Sequence, residues 1–296
     1  MTLLIALLFL SAGWESVESD HLRVYFAGDR SDAVYALRIG EEFLKEASER
    51  FGFEPGEGKI EIWICRDEDQ FRRAVNAPIQ DWAVGCAFPL QRRVMIRDPG
   101  FVEMRKLRFS VTLRHELAHV LIGAKLGRRF NRLPVWFHEG MAMLMSGEGM
   151  FFRRDLILMG NALWGRIIPL SSLERSFPEE LGRAELAYAE SLSAVSMIER
   201  EYGAEALRGI IELVGMGYSF VDAMTLALGT TPYSFDLKWQ SYVRRRYKLA
   251  LVLSSSSVVW GLISLSFLVA YILYRRARAR KLEMMELEEA EDEFFK

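Results

Sequence analysis

Histidine and glutamate residues with metal-ligand spacing lie near the middle of the chain. The chain has four histidines, and His115 and His119 frame the pattern H-E-x-x-H in the segment HELAH. Residues i and i+4 lie on one face of an α-helix, so the two imidazoles can reach one cation. Glu116 is rotated by about 100° from its neighbour and fits a separate role beside the metal. A zinc ion with three protein ligands keeps a position for water, and a nearby carboxylate can accept a proton from that water.

A third ligand does not follow in the longer pattern H-E-x-x-H-x-x-G-x-x-H, because Ile122 and Lys125 occupy its Gly and His positions. A carboxylate on a following helix remains, and Glu139 comes after 19 intervening residues. Pro134 and Gly147 are typical of the start and the end of a short helix around this glutamate. If that helix packs against the first, it points the carboxylate at the histidines. The sequence therefore predicts a zinc site between two helices.

The segments before these helices alternate between strand and helix patterns. Strands are predicted at Leu22–Phe26, Lys59–Cys65, Trp82–Phe88 and Arg92–Arg97, and helices at Ser31–Phe51 and Asp67–Val75. The H-E-x-x-H helix is predicted from a cap at Ser110 to Leu126, and the chain beyond Pro99 has an almost wholly helical pattern. We therefore expect an α+β fold, in which a small N-terminal mixed sheet with helices precedes an α-helical C-terminal subdomain.

Two uncharged apolar segments lie outside this predicted domain. Residues 1–13 are too short to cross a hydrocarbon core of about 30 Å and are typical of a secretory signal peptide, with a retained apolar N-terminus as the alternative. Residues 249–274 contain no charge and are long enough to span a membrane as one helix, with a buried soluble helix as the alternative. These segments leave one domain at 14–248 and a tail at 275–296.

Net charge and predicted membrane topology limit the classes of partner that this chain can have. Lys and Arg total 38 against 40 for Asp and Glu, which argues against nucleic-acid binding through a basic field. A signal peptide would export residues 14–248 and leave residues 275–296 in the cytoplasm. The predicted location is the cell membrane, as a single-pass protein with an extracytoplasmic domain. The partner that this topology predicts is the lipid bilayer, and the oligomeric state does not follow from the sequence.

The segments HELAH and WFHEGMA resemble motifs of the gluzincin metallopeptidases, most closely those of the small bacterial peptidase MA-like domains. The resemblance covers roughly residues 20 to 247. It implies a zinc site whose ligands are His115, His119 and Glu139. It also implies a peptide or protein substrate as the partner and hydrolysis of a peptide bond, with Glu116 as the general base.

The resemblance bears on several further residues. Tyr188 is a candidate for stabilising the oxyanion that forms during hydrolysis, and a core tyrosine is the alternative. His138 is expected on the surface or beside the site rather than as a ligand. Met143 stands where thermolysin-like enzymes have an Asp, so no partner that would orient a histidine ligand is identified. At the family level, the strand Arg92–Arg97 is expected to be an edge strand that pairs with an extended substrate.

The sequence leaves two questions open. Cys65 and Cys86 could form a disulfide in an exported domain, and two buried thiols are equally compatible with the sequence. The function is also open between an active zinc peptidase, an inactive zinc-binding module anchored to a membrane, and a structural anchor that acts through its cytoplasmic tail. The presence of Glu116 favours the active enzyme, because loss of the base is the simplest way to lose turnover.

Overall fold

A computed structural model describes residues 13–76, 83–98, 103–147, 152–254, 260–261, 263–278 and 280. The chain divides into two compact units, residues 1–241 and residues 242–296. Apart from Gly13, the predicted signal peptide lies outside the described residues.

A mixed sheet of five strands belongs to the first unit. Its strands are β1 (Glu15–Glu18), β2 (Leu22–Phe26), β3 (Ile60–Cys65), β4 (Gly85–Phe88) and β5 (Arg93–Arg97). Their order across the sheet is β1-β2-β3-β5-β4. The central strands β2, β3 and β5 are parallel, and β1 and β4 run antiparallel to their neighbours at the two edges. The small mixed sheet that the sequence predicts is therefore confirmed.

Helices make up most of the rest of the described chain. They are α1 (Arg30–Phe51), α2 (Glu68–Val75), α3 (Glu103–Leu126), α4 (Val135–Ser146), α5 (Phe152–Leu163), α6 (Leu181–Tyr202), α7 (Ala204–Met216), α8 (Phe220–Leu228) and α9 (Pro232–Ser254). Short 3₁₀ turns occupy Pro89–Gln91, Gly127–Arg132 and Leu170–Leu173. The division between the two units falls within α9. A sheet followed by consecutive helices confirms the expected α+β class.

Successive side chains of a strand point to opposite faces of the sheet, and in this domain both faces are covered. On one face, Leu22 of β2 packs closely against Gly40 of α1, where a Cβ would lie 2.4 Å from the leucine Cδ1. On the other face, Trp63 and Met95 form a buried cluster with Phe71 of α2. Because α1 also packs against α3, the first face is the one that supports the H-E-x-x-H helix.

Two expectations about these elements are wrong, and one strand was not predicted. Helix α3 begins at Glu103, so Ser110 lies inside the helix rather than at its cap. Strand β5 (Arg93–Arg97) is not an edge strand, because β4 forms a hairpin with it and takes the edge. Strand β1 has no counterpart in the sequence prediction. Its four residues ESVE show little apolar alternation, and the strand is defined by backbone pairing with β2.

The second apolar segment is partly described. Residues 260–261 and 263–278 are helical, whereas 255–259 and 262 lie outside the described residues. Within the described ranges, none of the helices combines the length and the apolarity that a membrane crossing needs. The transmembrane helix at 249–274 therefore stays a prediction.

Candidate metal centre

Two consecutive helices carry the predicted ligands. Helix α3 presents His115 and His119 from one face. Helix α4 begins directly after Pro134, whose fixed φ suits a helix start, and ends at Gly147 in the left-handed conformation with φ of 81°. The N–H of Val135 donates to the carbonyl of Glu174 at 2.9 Å, which ties the start of α4 to the following part of the chain. These local signals fix where α4 starts, and hence where its glutamate points.

The structure brings three donor side chains to one point. The Nε2 atoms of His115 and His119 lie 3.1 Å apart. Glu139 places one carboxylate oxygen 3.3 Å from Nε2 of His115 and the other 3.5 Å from Nε2 of His119. One ligand atom from each residue lies within 4.8 Å of the other two. Among the described residues, this is the only group of three or more His, Cys, Asp and Glu side chains that could hold a metal ion.

The charge state of this group suits a cation. Burial raises the pKa of the Glu139 carboxyl, but the adjacent His119 and His115 lower it by more, so that the pKa lies well below its ordinary value of 4.5. The carboxylate is therefore charged at neutral pH and is available as a ligand.

The separation of the histidine nitrogens, and the distance from one of them to one oxygen of Glu139, fit a tetrahedral metal. Ligands about 2.0–2.1 Å from a zinc ion stand roughly 3.3 Å from one another in a tetrahedron. The two histidine Nε2 atoms lie 3.1 Å apart, and Oε2 of Glu139 lies 3.3 Å from Nε2 of His115. The other oxygen of Glu139, Oε1, lies 3.5 Å from Nε2 of His119. Two histidines and one carboxylate that binds through a single oxygen leave one corner of that tetrahedron for water or substrate.

Glu116 takes a different direction from the two histidines. Its side chain is nearly buried and points toward the edge strand, where a Cβ on Gly85 would lie 2.8 Å from its Oε1. It is not one of the three grouped donors. The carboxylate is thus beside the candidate centre rather than part of it, as the one-residue offset from His115 on a helix predicts.

The family model of the Peptidase MA superfamily matches residues 47–245. The chain belongs to the Peptidase MA superfamily. The matched range contains the H-E-x-x-H helix, α4 and most of the helices that follow. The gluzincin-like resemblance of the motifs is confirmed at the level of the family. No curated protein matches the chain.

Within this Peptidase MA domain, α6 holds α4 at close range. A Cβ on Gly140 would lie 2.5 Å from the carbonyl oxygen of Ser191 and 2.6 Å from a methyl of Val195. Only glycine permits this approach, and the residue follows Glu139 directly. The position of the carboxylate is therefore set by a backbone contact that the motif alone does not reveal. A glycine inside an apolar helix was the only signal for it.

His138 lies beside the centre. Its ring contacts those of His119 and Phe130, with centroid distances of 5.3 and 5.1 Å. Burial lowers the pKa of His138 to about 4, and the other histidines add to that effect against the opposing carboxylate of Glu139. It is not grouped with the three donors, in agreement with its expected place outside the ligand set. The buried Nδ1 atoms of His119 and His138 have no hydrogen-bond partner among the described residues.

Tyr188 lies on α6 and is half-buried. Its ring meets the edge of Phe177 at a centroid distance of 4.8 Å, and the guanidinium of Arg154 lies 5.6 Å from the ring centre. These contacts fit a tyrosine packed at the base of α6. Its proposed role in stabilising an oxyanion stays a prediction.

The two cysteines are free thiols. Cys65 lies on β3 and Cys86 on β4, and β5 separates the two strands. Strands two positions apart are about 9.6 Å from each other, which exceeds the Cα separation that a disulfide spans. Burial raises the pKa of each thiol to about 12. Of the two possibilities that the sequence left open for Cys65 and Cys86, the structure shows two thiols and not a disulfide.

A buried glutamate on α6 was not singled out from the sequence. The Oε1 atom of Glu190 accepts a hydrogen bond from the N–H of Ile168 at 2.9 Å, and its Oε2 has no partner among the described residues. Burial raises the pKa of Glu190 to about 8, and the nearby charge of Asp236 adds to this rise. The hydrogen bond from the Ile168 N–H and the charge of Arg183 oppose it. The side chain is fully buried, so it is protonated in the folded domain at neutral pH.

This raised pKa predicts that Glu190→Gln stabilises the domain at neutral and mildly alkaline pH. The stability that depends on the proton is complete below pH 4.5 and is lost as the pH rises toward 8, because the unfolded chain ionises first. A neutral amide removes this loss, which is on the order of a few kcal/mol. Urea unfolding at pH 4 and pH 8 measures it. We expect a gain in the free energy of unfolding at pH 8 and little change at pH 4.

The exposed Glu179→Gln is the matched control for this substitution and should behave like the wild type at both pH values. Equal effects of Glu190→Gln at pH 4 and pH 8 would contradict the raised pKa.

Proposed function

We propose that this chain is a zinc-dependent metallopeptidase. The observation that carries the proposal is the convergence of His115, His119 and Glu139, with Glu116 beside them, inside a Peptidase MA domain. The donor set of two imidazoles and a charged carboxylate is one of those that hold zinc in open catalytic sites. The two alternatives, an inactive zinc-binding module and a structural anchor, do not explain why a nearly buried carboxylate is kept beside the donors.

The chemistry follows from the site. A zinc ion in such a site lowers the pKa of a bound water and polarises the carbonyl of the scissile bond. The carboxylate of Glu116 accepts the proton of the attacking water and passes it to the amine that leaves. His115, His119 and Glu139 hold the cation, and the low pKa of Glu139 keeps its charge available at neutral pH.

The edge strand β4 offers a binding surface for an extended peptide. The N–H of Arg97 on β5 donates to the carbonyl of Val84. Backbone groups alternate in direction along an antiparallel pair, so those of Gly85 and Ala87 point away from β5, toward the open edge. A substrate backbone can add to the sheet there, next to Glu116. This role moves from β5, where the sequence suggested it, to β4.

We propose in addition that residues 249–274 anchor the enzyme in a membrane. The segment has no charged residue. Where described, its large side chains, among them Trp260, Phe267 and Tyr271, are exposed to a degree that is unusual for apolar residues in water. With residues 1–13 as a signal peptide, the domain is extracytoplasmic and the tail that begins at Arg275 is cytoplasmic.

Peptide cleavage by the full-length protein in detergent tests the proposed activity. Protein produced with zinc in the growth medium should cleave members of a peptide library. It should lose this activity on treatment with a chelator and regain it when zinc is restored. Absence of cleavage in every peptide, with zinc bound, would favour the inactive zinc-binding module.

A further inference from the structure

Glycine at the start of β4 lies against the glutamate that acts as base. A Cβ built on Gly85 would lie 2.8 Å from Oε1 of Glu116, 2.9 Å from its Cγ and 2.8 Å from Cγ2 of Thr112. Real Cβ atoms do not approach other atoms so closely. The φ angle of Gly85 is not positive, so the backbone does not itself require glycine here. Glycine is required because a Cβ has no room at this position.

The clash cannot be relieved by a small rotation of the carboxylate. The Cγ of Glu116 is involved as well as its oxygen, and Thr112 lies one turn earlier on the same face of α3. Two atoms close to the helix backbone would have to move together.

The strand and the helix are also held together at the other end of β4. A Cβ on Gly123 of α3 would lie 2.1 Å from the Cβ of Pro89, the residue that follows β4. One glycine on each element thus permits close contact, at Gly85 and at Gly123. On the opposite side, α3 meets α1 near Gly40, where a Cβ would lie 3.5 Å from Leu117. The helix is therefore confined on both sides and cannot retreat from a larger residue at the start of β4.

We propose that Gly85 is a positioning residue that sets where the carboxylate of Glu116 lies. The proposal rests on the proposed peptidase function. A side chain at residue 85 displaces the base rather than the metal donors, since the three atoms nearest the built Cβ belong to Glu116 and Thr112. The backbone groups of Gly85 point to the open edge of the sheet. Gly85 therefore fixes the position of the base relative to a substrate backbone that binds at this edge.

Gly85→Ala tests the proposal in the full-length zinc-loaded protein. We expect kcat to fall by about tenfold to a hundredfold, the loss typical of a misplaced catalytic group, with KM changed by less than about threefold. Zinc content should match the wild type, and the variant should stay folded with an unfolding midpoint lowered by the overpacking that the added methyl causes. The acid limb of the pH profile of kcat/KM, which reports the ionisation of the base, should shift.

Two further variants sharpen the test. Gly209→Ala on α7 is the matched control, because a Cβ there meets nothing within 4 Å, and it should keep wild-type kcat and pH profile. Thr112→Ser removes the Cγ2 methyl, so adding it to Gly85→Ala should restore part of the lost kcat. A crystal structure of Gly85→Ala should show the Glu116 carboxylate displaced by roughly half an ångström or more, which returns the contact to ordinary van der Waals distance.

Wild-type kcat in Gly85→Ala, or an undisplaced carboxylate, would overturn the positioning role. So would a loss of activity that is accompanied by loss of zinc or by unfolding at the assay temperature, because the effect would then be structural. Failure of the proposed function looks different: the wild type itself would cleave no peptide, while the displacement of the carboxylate in the crystal would still be seen.

Discussion

Glu116→Gln is expected to keep about one zinc ion per chain and to lose peptide hydrolysis by roughly 10²–10⁴-fold in kcat, the usual contribution of a general base. The amide keeps the shape of the side chain but cannot accept a proton from water. Because Glu116 is not one of the three grouped donors, its neutralisation leaves the metal ligands intact. Metal analysis and steady-state kinetics on one preparation measure both effects.

The control for this variant is Glu57→Gln, which removes one carboxylate from an exposed loop and should change neither zinc content nor kcat. Full activity in Glu116→Gln would contradict the role of this residue as base. Loss of zinc in the same variant would also contradict the account, because it would make the residue a ligand.

Glu139→Ala is expected to lose the metal itself, with zinc content falling from about one to below about 0.1 per chain at neutral pH, because an open site with two protein ligands holds zinc weakly. Its carboxylate oxygens lie 3.3 and 3.5 Å from the two histidine nitrogens and keep their charge despite burial. Removal of the side chain takes away the charge that offsets the cation. Inductively coupled plasma mass spectrometry after gel filtration measures the loss.

Two histidine variants serve as controls for ligand loss. His21→Ala removes a histidine that pairs with Glu41 at 2.8 Å, outside the cluster, and should bind zinc as the wild type does. His138→Ala removes the histidine beside the centre and should also retain about one zinc, because its nitrogens are not among the grouped donors. Unchanged zinc in Glu139→Ala, or its loss in His138→Ala, would reassign the ligand set.

Local sequence signals predicted the parts of the site that are local. The spacing of His115 and His119 depends only on the helix period, and the bounds of α4 depend on Pro134 and Gly147. Strand β2 was predicted at its observed bounds, since it alternates between buried and half-buried residues. In each case, neighbours along the chain carry the information.

The parts that were missed depend on contacts between distant residues. The order of strands in a sheet is not encoded in the alternation of one strand, so the edge was assigned to β5 instead of β4. Close approaches at Gly85, Gly123 and Gly140 depend on the element that lies opposite each glycine. The burial of Glu190 depends on the packing of α6 against the segment around Ile168.

The proposed membrane anchor is independent of the proposed peptidase activity. The predicted spanning segment at 249–274 includes residues that the structure does not describe, and the metal centre belongs to the first unit. Peptidase activity and membrane anchoring are therefore independent claims. If deletion of 275–296 abolished the biological role while Glu116→Gln did not, the structural-anchor alternative would replace the enzyme.

The zinc K-edge X-ray absorption spectrum of the purified full-length protein is the direct test of the proposed zinc site. We expect one zinc per chain, two imidazole nitrogens and oxygen donors at about 2.0–2.2 Å, and no sulfur shell. With no metal bound after growth with zinc, or with sulfur at about 2.3 Å from Cys65 or Cys86, the cluster of His115, His119 and Glu139 would not be the metal centre.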